Sequence, residues 1–162
     1  MFKIRGLSRR RMLKELIIAF SIVAVCVVMH TAGMLALAEG FSRYIKKRPD
    51  YGFIQENVML ITTFTSILFL HLTGAAIWAI LFRVRELFPD FETAMYFSLT
   101  SYTTMGFGDV VLPERWRLLG GVEGLSGVLL SGMSTAFLFV IVRRLLRVRE
   151  KQTLGPELNG GI

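Results

Sequence analysis

The sequence predicts an all-α membrane protein: two transmembrane helices flank a re-entrant segment, and an extra apolar helix precedes them. Hydrophobic residues make up 53% of the 162 residues and charged residues only 19%, against about 45–50% and 25% in soluble domains. Three stretches, 16–38, 57–82 and 118–142, contain no Lys or Arg, and each exceeds the roughly 20 residues that cross a bilayer. This composition argues against a disordered chain and a soluble enzyme domain, and the single cysteine, Cys26, excludes a disulfide scaffold.

The first apolar stretch follows a basic, partly amphipathic leader at 1–15. This arrangement imitates a signal peptide, but the apolar run is longer than the roughly 7–15 residues of a signal core. We therefore expect 16–38 to be retained as an extra N-terminal membrane helix. Its length favours a full crossing, whereas the basic leader favours a helix that lies along or dips into the cytoplasmic leaflet.

The net charge of +7 comes from basic residues that flank the apolar stretches. Such flanks contact lipid head groups and set topology, so we expect no nucleic-acid partner. After the third stretch, the basic residues could bind anionic lipid or only anchor the helix; the candidates are Arg143, Arg144 and Arg147.

The interval 83–117 is too apolar for a surface loop, and its apolar runs are too short and too often interrupted for another membrane-spanning helix. Asp90 is a good helix N-cap, and it predicts a short helix over 91–103. Two glycines, Gly106 and Gly108, then bracket Phe107 in a run that fits neither a regular helix nor a strand. Irregular backbone at membrane depth is tolerated only inside protein or beside water, so a re-entrant loop is expected.

The two glycines occupy every second position, and glycine enters left-handed backbone at no steric cost. Alternating left-handed and ordinary residues would turn successive carbonyls toward one axis, with Met105 and Phe107 pointing away into the protein. Together with the Thr104 hydroxyl, these oxygens could replace the hydration shell of an ion. One chain supplies one oxygen per level, so several copies would be needed.

These residues carry a resemblance. The run 98–109 resembles the pore helix and selectivity filter of potassium channels: the family filter Thr-Val-Gly-Tyr-Gly-Asp aligns with Thr104-Met105-Gly106-Phe107-Gly108-Asp109. Tyr96-Phe97 stand where the family has a paired aromatic cuff. The resemblance covers about 57–147. It implies a pore domain with outer helix 57–82, pore helix 91–103, filter 104–109 and inner helix 118–142, and a flexible tail at 148–162 is expected after it.

The resemblance implies a passive, potassium-selective homotetramer in the plasma membrane, the inner membrane of a bacterium, with several crossings. It implies no enzyme activity and no cofactor or metal beyond permeant K⁺. The expected ion-binding residues are Thr104, Met105, Gly106, Phe107 and Gly108. The expected supports of the filter are Tyr96, Phe97, Thr100, Thr103 and Glu123.

Three departures from the family bear on selectivity. Met105 replaces valine and Phe107 replaces tyrosine, so the backbone oxygens are kept but a bracing hydroxyl is lost. Some members also have a glutamate where this chain has Thr100. A weakly selective or non-selective monovalent cation channel is therefore the alternative function, and a non-conducting membrane scaffold is a more remote one.

Two carboxylates allow several interpretations. Glu123 lies inside the third stretch, where a charge is costly. It could line the pore, pack behind the filter and accept bonds from Thr100 or Ser101, or stay hydrated near the outer interface. Asp109 could concentrate cations at the outer mouth or be hydrogen-bonded behind the filter.

Small and polar residues recur every fourth position along the third stretch, at 123, 127, 131 and 135. This face could line the pore, with Gly127 or Gly132 as a gating hinge, or it could allow close helix packing. The candidate lining or hinge residues are Gly127, Ser131, Gly132 and Thr135.

Two histidines, His30 and His71, fall in mid-span, and we expect each to be a hydrogen-bonded packing residue, since no further metal ligands are evident. A membrane enzyme would need paired acid–base or metal-binding groups within the spans. The two histidines and Glu123 lie on three separate segments without motif spacing, which argues against an enzyme.

Overall fold

The computed structural model describes residues 9–47 and 52–158. Within these ranges all regular structure is helical, which confirms the predicted all-α fold class. The four helices are α1 (Arg9–Lys47), α2 (Phe53–Val84), α3 (Phe91–Tyr102) and α4 (Arg117–Leu158), and a 3₁₀ turn at Glu114–Trp116 precedes α4. Three stretches are long and apolar enough to cross a membrane: Met12–Lys47, Phe53–Val84 and Glu114–Arg147.

The helices extend beyond the apolar stretches. Residues 9–15 of the predicted leader form the first turns of α1, and residues 1–8 lie outside the described part. The expectation of a flexible tail from 148 is wrong as far as Leu158, where α4 ends; 159–162 lie outside the described part. The tail has few apolar residues, but its Arg, Glu, Lys and Gln residues are good helix formers, so the helix continues past the apolar stretch.

The extra helix α1 runs antiparallel to α2 and parallel to α4. Near its start, Glu15 lines a pocket with Arg85 and Trp116 from the two ends of the re-entrant segment. Near its end, Phe41 packs in a cluster with Ile141 of α4. The helix therefore follows the length of the pair α2 and α4.

The short helix α3 packs against both α2 and α4. At the C-terminal end of α2, the Phe97 ring of α3 contacts Phe82 and Phe88, and the ring centroids of the three lie 5.2–6.2 Å apart. Trp78 and Phe82 are fully buried there. This cluster fixes α3 at one end of the bundle.

Candidate functional site

The start of α3 is capped as predicted. The Asp90 carboxylate accepts a 2.7 Å hydrogen bond from the Thr93 amide and a 3.0 Å bond from the Thr93 hydroxyl. These bonds lower the pKa of Asp90 below its ordinary value. The cap satisfies free amides of the first turn and so fixes where the helix begins.

The loop after α3 has the alternating backbone that the glycine spacing predicts. Gly106 and Gly108 have φ values of 55° and 80°, and Thr104 also lies in the left-handed region at 60°. Every second residue is therefore left-handed, although the sequence pattern signals this only at the glycines. The loop is tied to α3, since the Thr104 amide donates to Ser101 and the Gly106 amide to Thr100 at 2.9 and 3.0 Å.

The side chains of Met105 and Phe107 do not pack inside a single chain. Each is 67% exposed, so the expectation that they point into the protein is not met within one subunit. Large exposed apolar patches on a protein normally mark a site of contact with another protein or with a membrane. The exposed side chains beside the loop therefore indicate such a contact site.

Asp109 is hydrogen-bonded to the aromatic cuff. The Tyr96 hydroxyl donates to the Asp109 carboxylate at 2.7 Å, which joins the end of the loop to the middle of α3. This bond lowers the pKa of Asp109 and raises that of the Tyr96 phenol. Asp109 is nevertheless exposed, so its charge is accessible to solvent while the hydrogen bond from Tyr96 holds its position.

Phe97, the second cuff residue, belongs to the aromatic cluster described above. Its ring also lies against α4: a Cβ on Gly120 would come 3.2 Å from the ring tip. Phe97 thus holds α3 between α2 and α4. The predicted supports Thr100 and Thr103 instead bond within α3, since their hydroxyls donate to Phe97 and Leu99 carbonyls at 2.9 and 2.6 Å.

Glu123 is fully buried, which makes the hydrated interpretation wrong and places the side chain away from any exposed pore surface of the chain. Its carboxyl faces the hydroxyls of Ser98 and Ser101 on α3, yet neither carboxyl oxygen completes a hydrogen bond. The Ser101 hydroxyl donates to the Gly120 carbonyl at 2.9 Å, and Thr100 bonds elsewhere. The residue therefore packs behind α3, without the bonds from Thr100 or Ser101 that the sequence suggested.

The face of α4 that carries residues 123, 127, 131 and 135 is buried in its first half and exposed in its second. Gly127 is buried, and a Cβ there would clash with the Tyr102 carbonyl oxygen at the end of α3. Gly127 thus serves close packing. Farther along, Ser131, Gly132 and Thr135 are exposed, and a Cβ on Gly132 would meet open space.

The candidate lipid-binding residues after the third stretch, Arg143, Arg144 and Arg147, are exposed. Arg143 lies over the Phe139 ring at 5.6 Å, whereas Arg144 lies over Phe41 of α1 at 5.7 Å. Arg144 also donates to the Ser42 hydroxyl at 3.0 Å. Part of this strip therefore holds α4 to α1.

The two mid-span histidines are hydrogen-bonded, as expected, but the structure also brings them together. Their ring centroids lie 4.7 Å apart, and the Ser134 hydroxyl lies 2.8 Å from His30 Nε2 and 3.0 Å from His71 Nε2. Nothing in the sequence pattern singles out Ser134. Over the described ranges, no group of three or more His, Cys, Asp or Glu side chains is arranged to hold a metal ion.

Comparison with known families agrees with this geometry. Residues 66–144 match a family model described as an ion channel, a range that takes in most of α2, all of α3 and the loop, and the apolar part of α4. This region is therefore similar to ion channels. Searches of curated proteins and of solved structures each gave no match. The matched region does not include α1.

Proposed function

We propose that the protein is a passive, potassium-selective channel in which the run 104–108 forms the selectivity filter. The observation that carries the proposal is the alternation of left-handed residues at Thr104, Gly106 and Gly108 in a loop between two membrane helices. Such a backbone turns successive carbonyl oxygens to one side, where they can take the place of water around a cation.

The active form is a homotetramer. Each chain contributes one oxygen per level, and a cation in a filter is surrounded by oxygens from all sides. The exposed side chains of Met105 and Phe107 would then be covered by neighbouring subunits. Ser131, Gly132 and Thr135, which are exposed on α4, would line the cavity below the filter.

The support behind the filter bears on selectivity. The Tyr96–Asp109 hydrogen bond holds the outer end of the loop and supplies a brace that does not depend on a hydroxyl at Phe107. A ring of Asp109 carboxylates would concentrate cations at the mouth. The second candidate function, a weakly selective cation channel, is favoured by the incomplete hydrogen bonding of the Glu123 carboxyl beneath the filter.

The channel would lie in the plasma membrane with three crossings, because α1 follows α2 and α4 along their length. Its N-terminal end would share the outer side with the filter. Anionic lipid is the proposed partner of the exposed residues Arg143 and Arg147 at the opposite end.

Ion flux through the purified protein in liposomes tests this proposal. With K⁺ or Na⁺ as the only permeant cation, we expect fast K⁺ flux that barium blocks and much slower Na⁺ flux. Equal flux of the two ions would favour the weakly selective channel, and no flux of either would contradict both channel functions and leave the scaffold. Cross-linking in liposomes should stop at four copies.

A further inference from the structure

One polar network, buried at His30, Ser134 and Tyr102 and half-buried at His71, joins all four helices in the middle of the bundle. It runs from His30 on α1 through Ser134 on α4 to His71 on α2, whose Nδ1 lies 3.3 Å from the Tyr102 hydroxyl on α3. His30 and Ser134 are 0% and 3% exposed. His30 lies outside the ion-channel region at 66–144, so the network connects the added helix to that domain.

The network is complete when both rings are neutral, and protonation of both rings adds repulsion between two cations. The Ser134 hydroxyl has one proton, so it donates to one imidazole and accepts from the other. With both rings neutral, one Nε2 carries a proton and the other does not, and both 2.8 and 3.0 Å contacts are hydrogen bonds. If both rings were protonated, two Nε2–H groups would point at one oxygen and two cations would face each other at 4.7 Å.

The network also lies next to the moving and conducting parts of the proposed channel. Tyr102 is the last residue of α3 and stands two residues before Thr104. Its side chain packs on Gly74, where a Cβ would come 3.1 Å from the hydroxyl, and its carbonyl packs on Gly127. Ser134 adjoins Thr135 of the proposed cavity lining. Loss of the network would therefore release α1, the base of the filter and α4 together.

We propose that His30 and His71 form a proton-sensitive positioning site, which holds the filter base and α4 in the conducting arrangement while both rings are neutral and lowers conduction when they are protonated. This proposal rests on the proposed channel function. The histidines act through Tyr102 and Ser134 and need not contact the permeant ion.

Other titratable groups surround the site. Cys26 on α1 lies 3.9 Å from the Gly74 carbonyl of α2. Tyr102 belongs to the network itself, and Glu123 of α4 is close enough to interact electrostatically with both Cys26 and Tyr102. The chain has only two histidines, so a variant without them keeps every other group and isolates their contribution.

The test compares K⁺ flux in liposomes at about pH 7.5 and about pH 5.5 on both sides, values that bracket the ordinary titration of histidine. For the wild type we expect flux to fall at least about fivefold in acid, the lower end of typical coupling between two sites. In the double variant His30→Gln/His71→Gln, whose amides hydrogen-bond but do not titrate, the two flux values should agree. Thr73→Val on α2 is the matched control, since Thr73 is half-buried like His71 and its hydroxyl donates to the Phe69 carbonyl of the same helix, and it should keep the wild-type response.

A wild type with equal flux at both pH values would overturn the proposal, as would an acid response that persists in the double variant. If the double variant does not fold, histidine NMR of the wild type decides: two coupled rings should titrate in two separated steps, and a single variant, His71→Gln, should leave one step at a shifted pH. Independent titration of the two rings contradicts the proposal. Coupled titration in a protein that passes no K⁺ at any pH would contradict the proposed function instead.

Discussion

Replacement of Gly127 by alanine tests how closely α4 approaches the base of the loop. A Cβ at this position would clash with the Tyr102 carbonyl oxygen and lie 2.9 Å from its carbonyl carbon. Contacts below 3.0 Å do not persist in real proteins, so α3 and α4 would have to separate by about 1 Å. The clashing group is backbone, so no side-chain rotation can relieve the contact.

Two opposing effects determine the change in the free energy of unfolding. Alanine favours a helix over glycine by about 0.5–1 kcal/mol, whereas overpacking of a tight contact costs about 1–3 kcal/mol. The contact at Gly127 is with backbone, so we expect the cost to dominate with a net loss of about 1–2 kcal/mol. For a chain of this size, that loss lowers the unfolding temperature by about 2–8 °C.

The assay is thermal unfolding of the detergent-solubilised protein, followed by the fluorescence of Trp78 and Trp116. Gly121→Ala is the matched control on the same helix, since a Cβ at Gly121 meets nothing within 4 Å. The control should gain the helix preference and unfold about 1–4 °C higher than the wild type. If Gly127→Ala is as stable as Gly121→Ala, α4 does not pack on the end of α3, and the described geometry of the loop base is wrong.

Three further predictions concern the loop and its supports. Tyr96→Phe removes the bond that lowers the pKa of Asp109; Asp109 should then take up its proton at higher pH than in the wild type, which NMR titration of that carboxyl measures, and an unchanged titration would refute this. Asp90→Ala should lower the temperature of thermal unfolding through the lost cap; because hydrogen bonds lower the pKa of Asp90, this stability is fully present above the ordinary aspartate pKa and lost as the pH falls through the lowered one, so the variant and the wild type should converge in acid. Gly108→Ala places a Cβ on a residue with φ of 80°, a conformation that costs a residue with a side chain about 1 kcal/mol or more. The variant should lose the preference for K⁺ over Na⁺ in liposome flux. Retained selectivity would show that this backbone conformation is not required.

The local features of the molecule could be predicted from the sequence because their causes are local. Asp90 caps α3 through residues three positions away, and the glycines at Gly106 and Gly108 allow left-handed backbone wherever the chain lies. The left-handed Thr104 could not be predicted, since a β-branched residue adopts that conformation only when the surrounding structure imposes it. Helix ends were also misjudged, because helix propensity continues after an apolar stretch has ended.

Features that depend on packing between helices needed the structure. The spacing of 123, 127, 131 and 135 predicts one face, but α3 covers only the first half of it. The burial of Glu123 and the exposure of Ser131 therefore follow from where α3 ends and not from the periodicity of α4. The meeting of His30 and His71 depends in the same way on how α1 lies against α2.

The placement of α1 sets two general rules against each other. The positive-inside rule would keep the basic leader in the cytoplasm, and the length of the apolar stretch would carry the helix across the membrane. A helix on the membrane surface would turn its polar side chains to water. In this structure His30, in the middle of α1, is fully buried against Ser134. Glu15, near the start of α1, is only 3% exposed and lines a pocket with Arg85 and Arg115. These contacts need α1 to follow α4 in depth, so the packing favours the crossing.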